Sequence, residues 1–211
     1  VSHELRTPLA SVLGLSDELH NHWDRFEETE IRQLLGIIAD QSGDLSSLVE
    51  DLLVAAKAEM GSLSVVPERA LVDTLVKEAV GEVASSGGLP QPVPITGTAG
   101  AAHADPIRVR QIVRNLVTNA VRYGGDHVWI ELGRDDVPHV KVVDDGAGIP
   151  AEQRDRIFDP YHRAEGPDAR LGALGLGLTI SRQLARVMHG ELTYDHAENR
   201  SVFTLTLPPA R

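Results

Sequence analysis

The chain has 211 residues, enough for one large domain or two small ones with a buried core. Its 20 basic residues against 31 acidic ones give a formal net charge of -11, which argues against a general binder of the nucleic-acid backbone. The absence of cysteine excludes disulfides, thiolate metal sites and a cysteine nucleophile. We find no signal peptide and no apolar run long enough to span a bilayer. Because the sequence opens at Val1 directly within a motif, we expect a fragment of a longer protein.

The first sixty residues predict a helical hairpin with an acidic, solvated surface, since they hold 4 basic and 12 acidic residues. Two apolar seams with heptad-like spacing flank residues 27–30, which suit a turn followed by an acidic first turn of the second helix. The seams comprise Leu5, Leu9, Val12, Leu19, Trp23 and Phe26, then Ile31, Leu35, Ile38, Leu45, Val49, Leu52 and Ala56. Four more apolar residues (Leu13, Leu34, Leu48 and Leu53) widen the stripe beyond the needs of one hairpin. We therefore predict a homodimeric four-helix bundle, with burial against the rest of the chain as the alternative.

The remaining residues predict an α/β domain that begins after a break near Gly61. Helices are expected over 72–83, from Pro106 through Tyr123 with Asp105 as N-cap, over 152–158 and over 179–188. Strands are expected at 93–96, 128–132, 137–143, 192–195 and 201–207, with residues 86–101 otherwise a loop. A long loop at 150–175 has little periodicity, and loops of that length in compact domains are usually functional.

Near the amino terminus, His3 stands beside Glu4 and one helical turn before Thr7. A solvent-facing histidine next to a carboxylate, with a hydroxyl one turn on, could accept a phosphoryl group. Taken alone, an ordinary surface histidine explains this pattern as well.

The segment NLVTNAVRYG places Asn115 and Asn119 on one face of a helix, followed by Arg122 and Tyr123. Asparagine rarely repeats within helices, because its side chain competes with the backbone for hydrogen bonds. Such a face suits a hydrated Mg²⁺ ion with phosphates, since Mg²⁺ takes oxygen ligands. Solvated polar residues are the alternative.

Two glycine-rich segments suit a nucleotide. In VVDDGAGIP, Asp144 follows an apolar strand, and Gly146 and Gly148 would let a flat ring lie against the backbone, although an ordinary Asp-Gly turn is the alternative. In GALGLGL, the bare amides of a helix amino terminus could bind phosphate. The glycines of that segment are Gly172, Gly175 and Gly177. Between the two, FDPYHR contains Arg163, which could meet a phosphate, but a packed loop explains it too.

In this order, the segments SHELRTPL, NLVTNAVRYG, DDGAGIP, FDPYHR and GALGLGL resemble the H-, N-, G1-, F- and G2-boxes of bacterial sensor histidine kinases of two-component systems. The resemblance covers the chain nearly end to end. It implies an α+β protein: a dimerisation and histidine-phosphotransfer hairpin at 1–60, a linker at 61–65, and a GHKL-type ATP-binding sandwich at 66–211 with an ATP lid at about 150–175. It also implies a cytoplasmic portion of a protein that is membrane-anchored in full length.

The resemblance further implies a role for each matching residue. His3 would accept the phosphoryl group of ATP and pass it to an aspartate of a response regulator. Glu4 would assist as a base or by orienting the ring, and Thr7 would complete an E-x-x-T phosphatase motif. Asn119 would hold Mg²⁺ and Asp144 would read the adenine amino group. The other implied nucleotide-binding residues are Asn115, Arg122, Tyr123, Gly146, Gly148, Arg163, Gly172, Gly175, Leu176 and Gly177.

The chain departs from the family pattern in two places. Ala173 and Leu174 replace the usual glycine and hydroxyl residue of the G2-box, which puts lid affinity in doubt, and His162 stands where an aromatic residue is common. Two alternatives follow: a GHKL-type conformational ATPase, which would lack the H-box hairpin, and a degenerate kinase that serves as a binding scaffold.

Overall fold

The computed structural model describes residues 2–59, 64–160 and 176–210. Its elements in chain order are α1 (Ser2–His22), a 3₁₀ turn (Trp23–Arg25), α2 (Glu28–Glu59), β1 (Glu68–Leu71), α3 (Val72–Ser85), β2 (Ile95–Gly97), β3 (Ala101–Ala104), α4 (Pro106–Tyr123), β4 (Val128–Arg134), β5 (Pro138–Asp144), α5 (Ala151–Arg154), α6 (Gly177–Val187), β6 (Glu191–Ala197) and β7 (Arg200–Thr206). The predicted fold class, a helical region followed by an α/β domain, is confirmed.

The first two helices form the predicted antiparallel hairpin, with its turn slightly earlier than expected. The backbone N–H of Glu27 donates to Glu30 at 2.8 Å, a side-chain cap that fixes the start of α2. Glu28 and Glu30 form the predicted acidic first turn of the second helix, where negative charge is favoured.

The second region is a two-layer sandwich. A five-stranded sheet has the order β2-β4-β5-β7-β6, with β2 parallel to β4 and the other neighbours antiparallel. Helix α4 packs against β4 and β5, α6 packs against β6, and α3 lies beside α4. The apolar side chains that these elements turn inward form one core cluster.

Local sequence explains where α4 begins and ends. The Asp105 carboxylate accepts from the backbone N–H groups of Ile107 and Arg108, Pro106 occupies the first turn, and the helix ends at Gly124. All three features were predicted.

Several predicted boundaries are wrong. A small sheet of β1 paired with β3 was not predicted, because β3 is rich in alanine, which is not typical of strands. Helix α5 covers four residues instead of the predicted 152–158, and α6 begins at Gly177 rather than at residue 179. Within the described residues, no helix is both long enough and apolar enough to cross a membrane.

Candidate functional site

The carboxylate of Asp144 lies at the end of β5, and 5% of the residue is exposed. Its Oδ1 accepts from the backbone N–H of Gly146 at 3.0 Å. A Cβ atom added to Gly124 would lie 2.8 Å from the Asp144 side chain, and one added to Gly146 would lie 2.8 Å from the backbone of Gly124 and Gly125. The glycines thus let the loop after β5 pack directly against the carboxyl end of α4.

Burial raises the pKa of Asp144 above its ordinary value of 3.8, and the nearby charge of Asp145 adds to this effect. Hydrogen bonds from Gly146 and from the Ser201 side chain, together with His196, act in the opposite direction. A buried carboxylate with few protein donors suits recognition of an amino group on a bound ring.

Helix α4 carries both predicted asparagines, and Gly124 at its carboxyl end lies against this carboxylate. Asn115 Nδ2 donates to Ser181 Oγ of α6 at 2.9 Å, and a Cβ atom on Gly177 would lie 2.5 Å from its Oδ1. Asn115 therefore joins α4 to the start of α6. Asn119, one turn further toward Asp144, is half-buried and has no side-chain hydrogen bond to another described residue.

The donor set around Asn119 fits a magnesium ion that is also bound by phosphates. The amide oxygen of Asn119 is a hard ligand, and Mg²⁺ usually keeps waters and phosphate oxygens in its remaining positions. Among the residues that the structure describes, no cluster of three or more histidine, aspartate or glutamate side chains could hold a metal alone. The predicted site would thus need the phosphates of a nucleotide.

The amino terminus of α6 faces Asn115. Leu176 is buried at the N-cap position and Gly177 opens the helix, so the first turn of α6 begins beside Asn115. Phe158, at the start of the predicted lid, lies under the guanidinium of Arg182, 4.5 Å from the ring centroid. The predicted site residues Arg163, Gly172 and Gly175 lie outside the described residues, as do His162, Ala173 and Leu174.

Arg122 and Tyr123, the remaining predicted site residues of α4, lie in its last turn. Tyr123 is half exposed in the last turn of the helix, two residues before Gly125. His3, Glu4 and Thr7 belong to the first two turns of α1, and Thr7 is exposed.

Three residues of this site were missed from the sequence. Ser201 of β7 pairs with Asp144 of β5, and His196 of β6 pairs with Ser201. The third residue is Tyr194 of β6, whose Oη accepts from the backbone N–H of Ile149 at 2.9 Å. The available signal was the period of two in β6 and β7, which turns these polar residues to the same face as the apolar Leu192.

Comparison with known proteins identifies the class of protein. Residues 104–211 match the model of the "Histidine kinase-, DNA gyrase B-, and HSP90-like ATPase" family, and residues 1–61 match the "His Kinase A (phospho-acceptor) domain". The chain belongs to that ATPase family, and the phospho-acceptor match ahead of it identifies a sensor histidine kinase core. The conformational ATPase alternative is not favoured.

Individual relatives with similar sequences are also histidine kinases. The chain is 30% identical over 220 residues to the signal transduction histidine-protein kinase AfsQ2 of Streptomyces coelicolor, covering 99% of this chain and 40% of AfsQ2. It is 31% identical to the sensor histidine kinase MtrB of Mycobacterium tuberculosis, covering 100% of this chain and 38% of MtrB. The chain thus spans about two fifths of the length of these curated relatives.

Solved structures share the fold. The histidine kinase AdeS of Acinetobacter baumannii superposes with a TM-score of 0.68 at 24% identity, covering 99% of this chain and 98% of that one. Full-length ShkA, solved in complex with AMPPNP, gives 0.65 at 25% identity, covering 99% of this chain and 44% of ShkA.

Proposed function

We propose that this chain binds Mg²⁺–ATP between α4, α6 and the loop after β5, and transfers the γ-phosphoryl group to His3. The observation that supports this most directly is the buried Asp144 carboxylate, which Gly124, at the carboxyl end of the helix that carries Asn119, and Gly146 approach closely. The proposal assigns residues 1–60 to the phosphotransfer hairpin, 61–65 to a linker, 66–211 to ATP binding and about 150–175 to the lid.

Each end of the nucleotide has matching groups in the site. Asp144 would accept a hydrogen bond from the adenine amino group, and Gly146 and Gly148 would leave room for the flat base. Asn119 would hold Mg²⁺, which offsets negative charge on the phosphates, with Asn115 beside it. The N–H groups opening α6 at Gly177 would face the phosphates. Arg122, Tyr123, Arg163, Gly172, Gly175 and Leu176 remain the further nucleotide-binding proposals.

The transfer itself needs a neutral imidazole. At pH 7 an ordinary histidine is mostly neutral, so a ring nitrogen of His3 can attack the γ-phosphorus in line. The new N–P bond forms as the bond from phosphorus to the β,γ-bridging oxygen breaks, and ADP leaves with that electron pair. The ring then gives up its other nitrogen's proton, for which Glu4 is the adjacent acceptor.

The phosphohistidine would serve as donor to an aspartate of a response regulator. Thr7, exposed one turn beyond His3, would position a water for the reverse task, hydrolysis of the phosphorylated regulator. We further propose a homodimer through residues 1–60 and a cytoplasmic location next to a membrane anchor in the full-length protein.

The test is labelling with γ-labelled ATP and Mg²⁺. We expect a label that is acid-labile and alkali-stable, lost in His3→Gln and in Asn119→Asp. His20→Gln is the matched control, because His20 is an exposed histidine of the same helix. Label that survives in His3→Gln would place the chemistry elsewhere. Nucleotide binding without any label in the unaltered chain would favour the scaffold alternative.

A further inference from the structure

Strand β6 carries two side chains that contact the loop after Asp144. Tyr194 and His196 are two residues apart, so the pleat of the strand turns both to the face that also carries Leu192 in the core. Residues 146–149 form the loop that they contact. Nearly 50 residues separate the strand from the loop, so no contiguous motif marks this contact.

Tyr194 holds the far end of that loop. Its Oη accepts from the backbone N–H of Ile149 at 2.9 Å and lies 3.4 Å from Ser201 Oγ, to which it donates. Ser201 in turn lies directly opposite Asp144 in the paired strands, where its side chain lowers the pKa of that carboxyl. The ring of Tyr194 is fixed against Phe203, with ring centroids 4.8 Å apart. Hydrogen bonds therefore connect the far end of the loop to Ser201, the residue opposite Asp144, while the near end donates from Gly146 to the carboxylate itself.

His196 holds the middle of the loop. Gly148 has a φ of +72°, and a Cβ atom added to it would lie 2.9 Å or less from three atoms of the His196 ring. The ring Nδ1 is buried and has no hydrogen-bond partner among the described residues. A buried nitrogen without a partner costs stability, so the ring's presence here calls for an explanation other than stability.

The register of the sheet explains why these contacts meet at Asp144. Asp144 of β5 pairs with Ser201 of β7, which pairs with His196 of β6, so the three residues form one row across the sheet. Directly paired residues share a face and lie about 5 Å apart from strand to strand. Tyr194 and its partner Phe203 occupy the adjacent row on that face.

We infer that Tyr194 and His196 are positioning residues for nucleotide recognition: they fix the loop 146–149 on β6 so that Asp144 meets the base in one orientation. The loop is then set before the nucleotide arrives, which lowers the ordering cost of binding. This inference rests on the proposed nucleotide site. It assigns the two residues to nucleotide affinity and not to the phosphoryl-transfer step, since neither lies on the elements that carry His3 or Asn119.

The first experiment changes one oxygen atom. In Tyr194→Phe, the Ile149 amide loses its acceptor, so its hydrogen exchange in the nucleotide-free chain should accelerate about 5-fold or more, while amides within β5 stay unchanged. The apparent KM for ATP in self-phosphorylation should rise roughly 3- to 10-fold with the maximal rate unchanged. Thr193→Val is the matched control, because it removes a hydroxyl from the exposed face of the same strand.

The second experiment is a double-mutant cycle between the ring and the glycine. Gly148→Ala should weaken AMPPNP binding strongly, because the new methyl group meets the His196 ring. The same substitution in a His196→Ala background should cost at least about 5-fold less, leaving only the cost of a positive φ. Should His196→Ala fail to fold, the single-oxygen change in Tyr194→Phe still decides the inference.

The outcomes separate this inference from the proposed function. Unchanged exchange of the Ile149 amide in Tyr194→Phe, or an equal cost of Gly148→Ala in both backgrounds, would overturn the positioning role. A fall in the maximal rate with unchanged KM would overturn it too. Absence of saturable AMPPNP binding in the unaltered chain would instead refute the proposed function, while the exchange experiment on the empty chain would still decide whether Tyr194 holds the loop.

Discussion

The hairpin and the α/β domain bury their apolar residues to very different extents. In the domain, the inward faces of α3, α4, α6 and the sheet close over one core. In the hairpin, Leu13 and Leu53 are 61% and 57% exposed, and Leu9, Leu35, Ile37 and Val49 are also exposed. Leu48 and Val54 of α2 join the core, so burial against the domain, the predicted alternative, accounts for part of the stripe.

The two regions therefore bury their apolar surface in different ways. The domain has enough layers to bury its own apolar surface, and two of the polar residues it buries, Asp144 and Ser201, lie side by side in the sheet. A two-helix hairpin has no second layer, and a contiguous apolar stripe of this kind indicates a further partner. The experiments below test each side of this contrast.

The largest effect is expected in the domain, from Asp144→Asn. Replacing the carboxylate by an amide keeps the shape but removes a charged acceptor and adds a donor facing the base. We expect AMPPNP affinity, measured by calorimetry, to fall about 10- to 150-fold. Asp145→Asn is the matched control, because that neighbouring carboxylate pairs with His127 and should change affinity far less. Equal losses in the two variants would contradict the assignment.

In the hairpin, Leu53→Glu places a charge in the exposed stripe. If the stripe is the surface that closes a four-helix bundle, the dissociation constant of the homodimer should rise at least about 30-fold, because each dimer contains the change twice. Sedimentation equilibrium measures this, and Gln33→Glu, a charge added at an exposed polar position of the same helix, is the control. A monomeric unaltered chain at micromolar concentration would contradict the bundle.

The same Asp144→Asn substitution should make the nucleotide-free domain more stable. Because burial raises the pKa of Asp144, the folded state disfavours the charged form, and wild-type stability falls as the pH rises through the raised value. The variant's thermal midpoint should exceed that of the wild type by a few degrees at pH 7. The gain should vanish as the pH falls below 3.8, because the wild-type carboxyl is then protonated in both the folded and the unfolded state. A less stable variant at pH 7 would show that the carboxylate is well compensated in the fold.

The smallest effect concerns the exposed pair of His127 Nδ1 and Asp145 Oδ2, 2.7 Å apart. The hydrogen bond to Asp145 raises the pKa of His127 above 6.5, and the hydrogen bonds from His127 lower the pKa of Asp145 below 3.8. The stabilisation by His127 is present below about pH 6.5 and is lost as the pH rises through its raised pKa, while that by Asp145 is lost as the pH falls through its lowered pKa.

His127→Gln should therefore lower the thermal midpoint most between about pH 4 and 6.5, and by about 1 °C or less, because exposed pairs contribute little. The comparison is with the midpoint at pH 8.5, where the difference should nearly disappear. A larger difference at pH 8.5 than at pH 6 would show that the imidazole acts through packing and not through its charge.

Most of the elements and their order, and the candidate residues of the site on α4 and in the glycine-rich segments, could be predicted from the sequence. Apolar periodicity, the Asp105-Pro106 start of α4 and its end at Gly124 are local signals, and local signals are readable because they depend on neighbouring residues. Asn115, Asn119 and the glycines of the two glycine-rich segments could be predicted as site candidates for the same reason, since each motif is contiguous in the chain.

The residues that lie around Asp144 could be identified only from the tertiary structure. Ser201, His196 and Tyr194 reach the loop through strand register, which pairs residues more than 50 positions apart and follows from how the whole sheet assembles. The small β1–β3 sheet was likewise invisible, because its pairing across about 30 residues, and not strand propensity, makes the alanine-rich β3 a strand. Contacts between distant segments depend on the packing of the complete fold, and no local pattern encodes them.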